Sequence, residues 1–187
     1  LEQKVWFASG SPQNMMSAAQ LEEKFMDCAR LTLGEAQLYE GFRRFGFGEA
    51  TGLPLPGESV GRLRNGRPWV TVETATASFG QGVMVTAMQL AMAVSAIANG
   101  GKLLEPILVK RVTDSTGVVV RDAVPVIRRE AVPPNVARAV AEMMVAVTEG
   151  NGTGVEAAIP GFRVAGETAT AQKIDKATRA YSAELFT

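Results

Sequence analysis

The side chains that could do chemistry are best tested first as nucleophiles, each of which needs a base placed to activate it. No serine is followed three residues later by a lysine, and the sequence contains no histidine, so histidine-dependent triads and the commonest metal ligand are both excluded. Ser78, before Phe79 and Gly80, has no lysine or histidine beside it and reads as a turn-capping residue. Ser17 reads as a solvated helix cap. Cys28 is the single cysteine, which excludes an intrachain disulfide, and with only Asp27 and Arg30 close by it is expected to be an inert thiol. Gly80-Gln81-Gly82 has no phosphate-loop context. Trp69, without aromatic neighbours in sequence, reads as local packing, and Arg128 and Arg129 as a solvated surface pair. No cofactor and no metal is called for.

Composition narrows the class further. Lys plus Arg and Asp plus Glu both number 19, so no basic footprint points to nucleic acid or a charged membrane surface. With 47% hydrophobic and 20% charged residues, the 187-residue chain has the make-up of one globular domain. No secretory signal is visible at the N-terminus. The apolar stretch 83–98 contains Thr86, Gln89 and Ser95 and falls short of the roughly 20 residues that span a bilayer. It reads as a buried helix.

The elements that must position any site follow from periodicity. Residues 35–44 place Ala36, Leu38, Tyr39 and Phe42 at helical spacing, and Gly46 is placed to end that helix. The crowded glycines and prolines of 46–57 predict an ordered loop. Thr86 and Gln89 have capping-box spacing for the next helix, and Asn99, Gly100 and Gly101 stop it. Residues 103–112 and 117–120 read as strands of a hairpin around a turn at 114–117. Pro133 and Pro134 open another helix, with Val136, Val140, Met143, Met144 and Val147 as its core face and Gly150 at its end. Residues 162–165 read as a strand before a polar tail.

Three stretches, in order and at fitting spacing, resemble the transpeptidase domain of class B penicillin-binding proteins. Residues 45–58, FGFGEATGLPLPGE, resemble the loop after the family's second motif; residues 77–106 resemble its buried helix and turn; residues 164–173, VAGETATAQK, resemble the strand bearing its Lys-Thr-Gly-Thr motif. The similarity is good over 31–187 and poor over 1–30, within one partial transpeptidase domain, 1–187. It implies an α+β fold of the serine β-lactamase-like type, helix-rich, with a small hairpin and one or two strands of the core antiparallel sheet, one of them carrying 167–170.

The family's chemistry is serine acyl transfer that cross-links peptidoglycan. The resemblance implies that its Ser-x-x-Lys nucleophile motif lies shortly before Leu1-Glu2-Gln3 and that Ser-x-Asn would fall near Leu21, Glu22 and Glu23, where neither Ser nor Asn stands. No catalytic residue is therefore assigned. The third motif persists as Glu167, Thr168, Ala169 and Thr170. By resemblance, the Thr168 and Thr170 hydroxyls would bind a substrate or antibiotic carboxylate, and the Thr170 N–H would serve the oxyanion hole. Glu167 puts an anion where the family has a cation; each such charge pair is worth roughly 4 kcal/mol at about 4 Å and an effective dielectric near 20, so the change of sign opposes carboxylate binding by more than the worth of one pair. Ala169 adds a Cβ where the family has glycine.

The implied partners are a peptidoglycan stem peptide and β-lactams, with no nucleic acid. The implied location is the cell envelope, on the extracytoplasmic face of the inner membrane. Two functions are expected to compete. One is a fragment or degenerate form of a D,D-transpeptidase, inactive as this chain. The other is a non-enzymatic scaffold contacting proteins of the division or elongation machinery.

Overall fold

A computed structural model of the chain describes residues 34–63, 69–78, 80–168, 171–174, 177 and 181–186. Ser17, Cys28, Ala169 and Thr170 lie outside the described residues, as does all of 1–30. The elements run α1 (Gly34–Arg44), α2 (Thr71–Ala77), α3 (Ala87–Ala98), β1 (Lys102–Leu104), β2 (Arg111–Thr113), β3 (Val119–Asp122), β4 (Ile127–Glu130), α4 (Pro134–Thr148), a 3₁₀ turn (Val155–Ala157), β5 (Ala171–Ile174) and β6 (Tyr181–Phe186). Each sheet among the described residues is a two-stranded antiparallel pair: β1 with β4, β2 with β3, β5 with β6.

The core gathers where α3 meets β1. Met92 and Ala96 of α3 pack with the fully buried Leu103 of β1, and Phe45 closes the cluster from the loop after α1. The α3 start has the expected capping box: Gln89 N–H donates to the Thr86 hydroxyl at 3.1 Å, and Thr86 N–H to Gln89 Oε1 at 2.9 Å. At the other end the chain reverses through Gly100 and Gly101, both at positive φ. Gly101 is required twice over. Its φ is +89°, and a Cβ there would collide with the Val132 carbonyl oxygen, because Gly101 C=O accepts from Ala131 N–H at 2.7 Å and holds the two segments together.

Four expectations need correction. The stretch 83–98 is not buried all round: Gln89, Met92, Ala93 and Ala96 face the core, while Leu90 and Val94 are half exposed. The run 103–112 is not one strand; β1 ends before Pro106, whose missing N–H suits no interior ladder position, and β1 pairs with β4 rather than with the following hairpin. That hairpin is β2–β3, with Arg111 opposite Asp122 at 2.5 Å and the Asp114 carboxylate accepting from Thr116 and Val118 N–H groups in the turn. On α4 the buried positions are Ala137, Val145 and Thr148, so the core face is rotated from the expected one and Val136 is exposed.

The fourth correction concerns the C-terminal strand. Residues 162–168 form no ladder; Phe162 is 76% exposed, and the Val164 carbonyl and Gly166 N–H bond to α4 instead. Pairing starts at Ala171, in register with Phe186, so the tail after 170 supplies two strands that its polar composition hid.

Candidate functional site

The segment that resembles the third motif is built against the last turns of α4. Two bonds hold its approach: the buried Thr148 hydroxyl donates to the Val164 carbonyl at 2.6 Å, and Gly166 N–H donates to the Met144 carbonyl at 3.0 Å. Further out, Arg163 pairs with Glu142 at 2.8 Å, and its guanidinium hydrogen bond holds the Glu142 carboxyl below the ordinary glutamate range. Glu167 and Thr168 follow, both exposed. Thr168 N–H donates to Glu167 Oε1 at 3.1 Å, and its hydroxyl lies 2.9 Å from the hydroxyl of Thr153. Glu167 and Thr168 are thus presented to solvent on a segment whose approach is hydrogen-bonded to α4. Because Glu167 is exposed, water screens its charge, and its effect on a carboxylate falls below the figure set by a low dielectric.

A second assembly supports the loop that resembles the one after the family's second motif. Gln89, 1% exposed, reaches out of α3 to donate to the Glu49 carbonyl at 2.8 Å and the Val60 carbonyl at 2.9 Å, so one amide closes the loop at both ends. Within it, Thr51 N–H donates to Glu58 Oε1 at 2.7 Å, and the Thr51 hydroxyl donates to the same oxygen. These two bonds, the hydroxyl's first, hold the Glu58 carboxyl below its ordinary value.

Arg128 and Arg129 are not a free surface pair. Arg128 donates to the Ala50 and Thr51 carbonyls at 3.2 Å; Arg129 donates to the Arg43 carbonyl at 3.0 Å and pairs with Glu49. The Glu49 carboxylate also meets Arg43 at 3.2 Å and Arg128 at 3.4 Å. Three guanidiniums thus converge on one carboxylate, and β4 is tied to the loop. Sequence spacing cannot reveal contacts across some eighty positions, which is why the pair read as solvated.

The remaining candidates fall where packing puts them. Ser78 is the C-cap of α2, its N–H donating to the Thr74 carbonyl at 3.2 Å. Trp69 is buried and meets Tyr39 edge-on at 6.3 Å, a partner distant in sequence. Gly80-Gln81-Gly82 makes the turn out of α2, with Gln81 N–H bonded to the Thr76 carbonyl at 2.9 Å. Among the described residues no group of His, Cys, Asp or Glu could hold a metal ion.

The model of the penicillin binding protein transpeptidase domain matches residues 15–187. The chain belongs to this family. Among its relatives, it is 38% identical over 143 residues to the stage V sporulation protein D of Bacillus subtilis, an alignment covering 76% of this chain and 22% of that protein. It is 36% identical over 144 residues to the peptidoglycan D,D-transpeptidase FtsI of Escherichia coli, covering 77% and 23%. Solved transpeptidases agree in fold. Penicillin binding protein 3 of Mycobacterium tuberculosis, complexed with aztreonam, superposes with a TM-score of 0.76 at 30% identity, over 87% of this chain and 37% of that one. The transpeptidase domain of Burkholderia pseudomallei penicillin-binding protein 3 superposes at 0.71 and 31% identity, over 86% and 45%. The chain therefore spans less than half of each of these family members, and its α+β architecture is a part of their fold.

Proposed function

We propose that this chain carries part of a peptidoglycan D,D-transpeptidase site of the cell envelope, in a form that does not itself form an acyl-enzyme. The observation that carries the reading is the segment VAGETATAQK, in which Glu167 and Thr168 stand where the family has Lys and Thr, beside one another and open to solvent. The hydroxyl of Thr168 suits a ligand carboxylate. Glu167 opposes a carboxylate in place of attracting it. Acylation further requires a serine with a positioned base, and no serine in this sequence has the family's lysine three residues on. Stem peptides and β-lactams are the ligands this site chemistry addresses.

A second reading, a scaffold without catalysis that meets proteins of the division or elongation machinery, is favoured by the same Glu167. Half-exposed Leu90 and Val94 on α3 also favour it. Labelling with a fluorescent penicillin and denaturing electrophoresis, on the chain and on Glu167→Lys, tests the first reading: neither should retain a covalent label. A labelled band in either would reject it.

A further inference from the structure

We infer that Thr153 is a positioning residue for the ligand-facing hydroxyl of Thr168, an inference that rests on reading 167–170 as the third motif. The loop that delivers Thr153 hangs on the same α4 end that backs the motif. Gly152 N–H donates to the Glu149 carbonyl at 3.0 Å, and Gly154 N–H to the Val147 carbonyl at 2.8 Å. At Gly152 a Cβ would run into the Ala146 and Val147 carbonyl oxygens, so only glycine lets the chain turn this tightly over the helix end. At Gly154 a Cβ would lie 3.2 Å from Val147 Cγ1 and 3.5 Å from the Thr168 methyl, so the loop runs close beside the motif.

Between these glycines Thr153 places its hydroxyl 2.9 Å from that of Thr168. A threonine hydroxyl has one proton and two lone pairs. When Thr153 donates, Thr168 accepts on a lone pair, its side-chain rotamer is fixed, and its own proton is left for a ligand oxygen. Each bond in such a chain polarises the next. The Thr148 and Gly166 bonds fix the backbone of the segment, and Thr153 fixes the side chain that the backbone carries.

The test reads the Thr168 rotamer directly, by three-bond couplings to its methyl carbon in solution, and so does not depend on any acylation chemistry. In the chain as it stands, Thr168 should give the couplings of a single χ1 rotamer. Thr153→Val should give averaged couplings, and Thr153→Ser should restore the single-rotamer values. Slow exchange of the Gly166 amide in both variants would show that the backing is intact. If Thr153→Val fails to fold, Thr153→Ala against Thr153→Ser provides the same comparison. Unchanged Thr168 couplings without the residue 153 hydroxyl would overturn the inference while leaving the transpeptidase reading standing. A penicillin adduct would overturn that reading without touching the rotamer result.

Discussion

At the scale of single residues, the two polar centres of this chain were unequally visible. Glu167 could be proposed as a site residue from its place in VAGETATAQK, because the motif this stretch resembles keeps its chemistry in consecutive positions. Glu49, Arg128 and Arg129 could not, since their meaning lies in contacts between β4 and the loop after α1. Glu58 gives this scale a prediction. Its carboxyl is held below the ordinary value of 4.5 chiefly by the Thr51 hydroxyl and then by the Thr51 N–H. A lowered folded pKa means the unfolded chain binds the proton more readily, so the stabilisation is fully present above about pH 4.5 and is lost as pH falls through the folded pKa. Urea midpoints of the chain and of Glu58→Gln should therefore differ by a constant amount from pH 8 down to about 5 and converge in stronger acid. A gap that widens with acidification would contradict this assignment.

At the scale of elements, Gln89 links a local signal to a distant one. Its capping role was legible from the spacing to Thr86, a pattern that needs only four consecutive residues. Its hold on the Glu49 and Val60 carbonyls was not, because nothing local marks which loop folds back over a helix start. Gln89→Leu should leave both carbonyls and the Thr86 N–H without this partner and cost about 1–3 kcal/mol in urea unfolding. Amide exchange should accelerate in 49–60 before it does in the rest of α3; uniform acceleration would instead mean that the residue is simply core. The helices α1, α3 and α4 were readable because caps and 3.6-residue periodicity are local. The strands were less so: β4 lies in a run of charge, Ile127–Glu130, and residues 162–168 look like a strand but bond to α4. Pairing is settled by partners remote in sequence, and the phase of α4 was shifted for the same reason, by what packs on Ala137 and Thr148.

At the scale of the molecule, every sheet among the described residues has two strands and therefore two open edges, and Leu90, Val94, Val120 and Val124 are 50%, 47%, 67% and 72% exposed. Unpaired edges and apolar side chains in water favour association. Sedimentation should show self-association that grows with concentration, and thermal unfolding should be broad; a monomer with one sharp transition of the size expected for a chain this long would speak against it. The family match and the fold shared with solved transpeptidases support one central proposal, that the site surface is kept in part while no serine of this sequence is equipped to attack. Intact-mass measurement after prolonged incubation with benzylpenicillin tests that claim most directly. The account predicts an unchanged mass for the chain and for Glu167→Lys alike; a saturable gain of one penicillin per chain, mapped to any serine, with Ser78 and Ser17 examined first, would contradict it.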